Sequence, residues 1–280
     1  MSRVEHIAKN SPLRKETSYV SHYSPSLLFP IKRVLSRLEM GIPNILPFHG
    51  YDVWNAFEVS WLTANGKPEV GVIQLEVPCE SPAIFESKSL KLYLFSFNNT
   101  HFSSKEELLN TIKRDLLECT GSEVRVSLIS LENYPYPLGS FPGTCLDDLD
   151  IECDFSNLNP DYLSLETSNK TEMVEEKLYS HLFRSNCLIT LQPDWATAYI
   201  HYQGPKISHE GLLKYFISFR NHNEFHEPCT EKIFMDITQR CAPQKLTVNL
   251  RFTRRGGIDI NPFRSNWPSA KAEPLRLVRQ

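Results

Sequence analysis

No apolar run in these 280 residues approaches the about 18 needed to span a bilayer as a helix, so no membrane contact is expected. The first residues, Met1-Ser2-Arg3-Val4-Glu5-His6, lack the apolar stretch of a secretory leader, and a cytoplasmic location is expected. A dominant charge sign is missing too. Net charge is −3, which gives no broad attraction to a phosphate backbone, so no direct nucleic-acid contact is expected. Cysteine is present, but its seven copies are odd in number and unpaired in spacing, which argues against a disulfide framework. Zinc spacings are also absent. Cys145 and Cys153 stand 8 apart, and Cys229 and Cys241 stand 12 apart, outside the short Cys-x-x-Cys range. His222 and His226 could share a helical face, but no His-Glu-x-x-His order accompanies them, and no metal is expected. The Gly-x-Gly-x-x-Gly fingerprint is missing, so any dinucleotide must bind by other means.

What is there centres on Cys187, in Ser185-Asn186-Cys187-Leu188-Ile189-Thr190. An acid follows in Gln192-Pro193-Asp194-Trp195, and an imidazole and a carboxylate in His226-Glu227. A thiol, an acid and an imidazole can make a nucleophile with its proton-transfer partners. Each also has a plainer reading. Most cytoplasmic cysteines are small buried hydrophobes, and Cys79 in Val77-Pro78-Cys79-Glu80 looks almost as good by composition. Asp194 could cap a turn after Pro193. Lys88, Lys91, Arg254 and Arg255 could be ordinary surface charge.

Patterning predicts two similar halves. Residues 52–62 alternate as a strand, with Val53, Phe57, Val59 and Trp61 on one face. Asn65-Gly66 predicts a hairpin turn, and Val70–Val77 the returning strand. Ser104-Lys105-Glu106-Glu107 reads as a capping box that opens a helix carrying Leu108, Ile112, Leu116 and Cys119, ended by Gly121. Residues 123–131 alternate again. In the second half, Met173–Phe183 and Ala196–Tyr202 read as strands, with Gln203-Gly204-Pro205 as a turn. Residues 208–240 read as helix interrupted near Asn221–Pro228, and 245–253 as a strand. A gapless match of Ser89–Asn99 with Gly211–Asn221, sharing Leu, Tyr, Ser-Phe and Asn, supports an internal repeat. The organisation expected is an N-terminal extension at 1–48, a first module at 49–135, a connection at 136–170 and a second module at 171–280. The class is α+β, antiparallel sheets backed by helices.

Four ordered segments carry a resemblance. Glu86-Ser87-Lys88-Ser89-Leu90-Lys91-Leu92-Tyr93 resembles the signature of the NADPH-dependent 7-cyano-7-deazaguanine reductases, the nitrile reductases of queuosine biosynthesis. Residues 185–195, 218–227 and 253–262 are similar to that family's nucleophile, substrate-binding and C-terminal segments. The chain length resembles the family's long, bimodular form. The resemblance implies two tandem tunnelling-fold modules, the fold of pterin-pathway enzymes such as GTP cyclohydrolase. It implies Cys187 as nucleophile, Asp194 as general acid and His226 as proton-transfer helper. Phe85, Glu86, Ser87, His226 and Glu227 would bind substrate; Ser87, Lys88, Arg255 and Gly256 would bind NADPH. The expected reaction takes the nitrile to an amine through a covalent thioimide, with two NADPH and no metal, in a homodimer. Glu86 falls in one half and Cys187, Asp194 and Glu227 in the other, so one site needing all of them would join the halves. Two other classes remain: a zinc-dependent cyclohydrolase or pterin enzyme of the same fold, and a non-catalytic tRNA-modification scaffold.

Overall fold

The computed structural model describes residues 19–153, 157–166 and 173–280. Packing divides the chain into two units. The first holds the chain up to Gly41, Tyr51–Pro135 and Arg254–Ile260; the second holds Ile42–Gly50, Tyr136–Thr253 and Asn261–Gln280. Arg254–Ile260 belongs to the first unit for a packing reason: Ile258 and Ile260 are buried in that unit's apolar cluster. Of the residues read as an extension, those before Tyr19 lie outside the described residues. Those from Tyr19 to Gly41 are part of the first unit.

The first unit opens with β1 (Pro30–Lys32) and α1 (Arg33–Glu39), then β2 (His49–Thr63) and β3 (Pro68–Pro78). It continues with β4 (Ala83–Phe85), α2 (Ser87–Phe95), β5 (His101–Phe102), α3 (Lys105–Thr120) and β6 (Arg125–Ile129). Its sheet runs β6–β3–β2, antiparallel, and β1 pairs with β4. Asn65-Gly66 turns the β2–β3 hairpin as expected, with Gly66 at φ 79° and its N–H on the Thr63 carbonyl at 2.9 Å. One face assignment is corrected. The β2–β3 register shifts between Ala56 and Val59. A bulge there reverses the two-residue alternation, so Trp54 and Ala56 join Val59 and Trp61 in the core. Phe57 turns out of that row, to Tyr134 at 6.0 Å and the Arg254 guanidinium at 4.7 Å. In α3, Ser104 accepts from the Glu107 N–H at 3.1 Å, and Gly121 closes the helix at φ 73°. The box is not fully reciprocal: the Glu107 carboxylate reaches Ser103, not Ser104. Leu108, Ile112 and Leu116 are buried, with Cys119 packed beside them.

The second unit contains β7 (Thr144–Cys145), β8 (Met173–Ser180), β9 (Arg184–Asn186) and β10 (Pro193–Pro205). It goes on through α4 (His209–Ser218), α5 (His226–Cys241), β11 (Lys245–Phe252) and β12 (Ile258–Ser265, of which Asn261–Ser265 pack here). The order is β12–β11–β10–β8–β7, with β9 folded onto β10. Met173–Ser180 is a strand, as expected. Gln203-Gly204-Pro205 is not a turn: it extends β10, pairing Pro205 with Met173. Pro228 is not in the interruption but in the first turn of α5, where its missing N–H breaks no helical bond. His222 and His226 do not share a helical face, because α5 starts at His226.

The repeat is visible as duplicated contacts. In α2, the Tyr93 hydroxyl donates to Asp115 at 2.8 Å and Ser96 Oγ donates to the Tyr93 carbonyl at 2.6 Å. In α4, Tyr215 donates to Asp236 at 2.6 Å and Ser218 to the Tyr215 carbonyl at 2.7 Å. The following helices, α3 and α5, are each 16 residues long.

Candidate active site

Cys187 stands one residue beyond β9, at the mouth of the β9–β10 hairpin. Its N–H donates to the Gln192 carbonyl at 2.8 Å, and its carbonyl accepts from Leu191 at 2.9 Å. Leu191 takes a left-handed φ of 57° to close the loop. Below it, Asn186 pairs with Pro193 and Ser185 with Asp194. Side chains directly opposite in a hairpin project to one face, as do residues two apart. The thiol of Cys187 and the carboxylate of Asp194 therefore share a face, and both are buried.

The imidazole arrives by a strap. The Asn186 N–H donates to the His222 carbonyl at 2.8 Å, and the Glu224 N–H donates to the Asn186 carbonyl at 3.1 Å. The Asn186 amide also donates to Asn223 Oδ1 at 3.2 Å. This pairing fixes the start of α5 beside the hairpin. His226 Nε2 consequently lies 3.1 Å from Asp194 Oδ2. Its ring stacks on Phe252 at 3.7 Å between centroids, tilted 14°. The buried Nδ1 of His226 has no partner among the described residues, so one ring nitrogen holds the acid while the other is available to a ligand. Glu227, next on the helix, is 2% exposed. Burial, with the negative field of Glu224, Asp194 and Glu227, pushes the nearby Cys229 thiol well above the ordinary cysteine range. Burial beside Lys232 lowers His222 to about 4.

Sequence reasoning missed Arg184 and Arg220. Their guanidiniums lie 5.7 and 5.5 Å from the Trp195 ring. Burial and the neighbouring Arg220 charge lower the affinity of Arg184 for its proton. In the sequence, Arg220 lies inside the 218–227 segment and Arg184 immediately precedes the 185–195 segment.

The remaining expected site residues belong to the first unit. Phe85 is a core residue, its ring edge-on to Trp54 at 4.8 Å, so only its backbone is available to a ligand. Glu86 is the N-cap of α2: its carboxylate accepts from the Lys88 N–H at 2.6 Å and the Ser89 N–H at 2.9 Å. Burial raises its proton affinity, and those bonds oppose the rise. Glutamate is unusual there, and the repeat's counterpart, Ser208, caps α4 with a hydroxyl. Ser87 and Lys88 begin α2, and Lys91 follows one turn on. Arg255 and Gly256 form the turn before β12, closed by mutual N–H···O bonds of 2.9 and 3.2 Å between Arg255 and Ile258. Gly256 sits at φ 61°, and a Cβ there would lie 3.4 Å from the Lys91 ammonium. The structure thus gathers Lys91 and the Arg255-Gly256 turn, a basic patch whose chemistry suits a dinucleotide phosphate. A cavity of about 750 Å³ lies elsewhere in this unit, beside Tyr51, Lys113, Arg114 and Arg125, and holds none of the expected site residues.

A buried thiol sharing a hairpin face with an acid–imidazole pair, on one of two repeated α+β units, is an arrangement that can serve a cysteine-dependent enzyme. A protein-family model described as nitrile reductase, 7-cyano-7-deazaguanine-reductase N-term, matches residues 19–128, and a second, described as QueF-like protein, matches 193–271. The chain belongs to the 7-cyano-7-deazaguanine nitrile reductase family. The NADPH-dependent 7-cyano-7-deazaguanine reductase of Legionella pneumophila (strain Corby) is 51% identical over 99% of this chain and 97% of its own. Those of Polaromonas sp. (strain JS666 / ATCC BAA-500) and Dechloromonas aromatica (strain RCB) are 49% and 51% identical, covering 97% and 96% of this chain and 98% and 95% of theirs. A crystal structure of the archaeosine synthase QueF-Like, in the apo form, aligns with 33% of this chain and 91% of its own at 17% identity and TM-score 0.30, too little overlap to add to the fold. The expected tandem tunnelling-fold modules agree with the family, and neither the cyclohydrolase nor the scaffold reading finds support among these relatives.

Proposed function

We propose that this chain reduces the nitrile of 7-cyano-7-deazaguanine to the aminomethyl group, with NADPH as reductant, a step in making the queuosine of tRNA. The observation that carries the reading is the shared face of Cys187 and Asp194, with His226 held 3.1 Å from the acid. Cys187 passes its proton to the Asp194 carboxylate as its sulfur adds to the nitrile carbon, breaking one C–N π bond. Asp194 delivers a proton to the nitrile nitrogen, leaving a neutral thioimide bound to the enzyme. His226 holds the acid in place through Nε2 and turns Nδ1 to the substrate. Phe252 restrains the ring from behind. Bound NADPH would supply two hydrides, one to expel the Cys187 thiolate from the thioimide and one to reduce the imine so freed, with two protons from solvent completing the amine and restoring the thiol. Ser87, Lys88, Arg255 and Gly256, joined by Lys91, would hold its phosphates, and Arg or Lys suits that charge. Glu86 and Glu227 would accept from the ring N–H and exocyclic amine that a guanine-type edge presents. The backbone of Phe85 and the Ser87 hydroxyl would complete the contact with the base. No step in this chemistry calls for a metal, and we place the enzyme in the cytoplasm as a homodimer.

The test is consumption of NADPH that depends on the nitrile, with 7-aminomethyl-7-deazaguanine as product. Without NADPH, the nitrile should add its mass to the protein. Nitrile-independent NADPH oxidation, or no adduct, would sink the reading.

A further inference from the structure

We infer that Cys145, Asp147 and His181 of the second unit form a binding site for one zinc-class divalent cation. Their ligand atoms, one from each residue, all lie within 4.8 Å of one another. Cys145 and Asp147 stand two apart, and backbone pairing brings His181 to them from 34 positions beyond Asp147. Strand β7 runs parallel to β8, with Cys145 opposite Tyr179, and the Leu146 N–H donates to the Tyr179 carbonyl at 2.9 Å. Gly143, at φ 109°, permits the approach: a Cβ there would fall 2.1 Å from the Lys177 carbonyl oxygen.

Each side chain is also held from behind, as metal ligands are. Asp147 Oδ1 accepts from the Ser180 hydroxyl at 2.6 Å, and both its oxygens lie close to the His181 N–H, at 3.2 and 3.1 Å. His181 Nδ1 is 2.9 Å from Thr197 Oγ1, which fixes the ring plane, and Arg279 donates to that same hydroxyl at 3.4 Å. The Tyr179 hydroxyl bonds the Cys145 sulfur, and the Asp147 and Asp148 carboxylates lie near it. Two acids beside a thiol is a poor arrangement for an isolated sulfur and a good one for a bound cation, whose charge reverses the local field.

The donor set selects the ion. A thiolate, an imidazole and a carboxylate together suit zinc and its borderline neighbours, whereas magnesium and calcium take oxygen alone. All three residues are half-buried, which leaves a fourth position open to water. On binding, Cys145 releases its proton to solvent, so affinity should fall as pH is lowered. None of these residues takes part in the proposed nitrile chemistry. The site would fasten the segment around Cys145 to β8.

The test uses the full chain, stripped with chelator and titrated with Co²⁺ and then Zn²⁺. Co²⁺ should bind at one equivalent with a thiolate-to-metal charge-transfer band, displaced by Zn²⁺. The band should persist in Cys187→Ala and vanish in Cys145→Ser, and His181→Gln should weaken binding at least tenfold. Stoichiometric Zn²⁺ should also raise the unfolding temperature of the stripped wild type, a reading that needs no variant. No band and no thermal shift in the wild type would overturn the site. So would a band lost in Cys187→Ala and kept in Cys145→Ser.

Discussion

Two buried cysteines compete for the nucleophile's role, and their neighbours separate them. Cys79 lies fully buried in the first unit, its carbonyl accepting from Arg37 at 2.6 Å. Cys187 shares a hairpin face with Asp194. Cys187→Ala should therefore lose both the nitrile adduct, read by intact-protein mass, and turnover, while Cys79→Ala keeps both. Asp194→Asn retains the shape of the acid and cannot donate a carboxyl proton. Turnover should fall by roughly 10²–10⁴, the span of general acid–base catalysis, with circular dichroism unchanged. A near-normal rate would leave Asp194 as an anchor for His226 alone. Glu86 has two separable tasks. Glu86→Ser should retain the cap, as Ser208 does in the repeat, and lose the contact with the base. In a Cys187→Ala background, calorimetry should then find nitrile binding weaker by roughly 1.5–3 kcal/mol, the range for charged hydrogen bonds. Full-strength binding would make Glu86 a cap and nothing more.

The strap His222–Glu224 is the element on which the site depends, and it carries a titratable group. His222 is lowered from 6.5 to about 4 by burial and Lys232. Its folded pKa lies below its unfolded one, so the unfolded chain binds more protons between those values. The stability His222 contributes is complete above about 6.5 and is lost as pH falls toward 4. Unfolding temperature measured across that window should drop on the acid side, and His222→Gln should flatten the slope. An unchanged slope would show that His222 is not the group responsible. The duplicated Tyr–Asp bonds offer an independent check on the repeat. Tyr93→Phe and Tyr215→Phe should each destabilise by about 1–3 kcal/mol, since each leaves a buried carboxylate short of a donor. With no shared partner, the two losses should add in the double variant within about 0.5 kcal/mol. Helix ends were legible at this scale because the Ser104 hydroxyl and the Gly121 backbone each act within one turn of their own position. The β2 face was not, because a bulge is a property of the pair of strands and leaves no mark in one.

For the molecule as a whole, the reaction is a four-electron reduction, so two NADPH should be consumed for each amine formed, measured by absorbance against product. Arg255→Ala and Lys88→Ala should raise KM for NADPH more than KM for the nitrile. NADPH should be preferred to NADH, since cationic side chains suit the extra phosphate. Unchanged NADPH kinetics in both variants would place the phosphate elsewhere. Among the described residues no helix is long and apolar enough to cross a membrane.

What the chain alone determined was local or contiguous. The Asn65-Gly66 turn, the helix ends at Ser104 and Gly121 and the four motif segments are encoded within short stretches and were legible there, whereas the 203–205 segment read as a turn is strand. Tertiary structure decided what depends on distance. Asp194 and His226 are 32 positions apart, and only the pairing of Asn186 with the 222–224 strap brings them into contact. The same holds for Cys145 and His181, 36 apart, which have no zinc spacing in sequence. They meet because a parallel strand pair erases that separation, and sequence spacing reports proximity only where the backbone between two residues is a single turn.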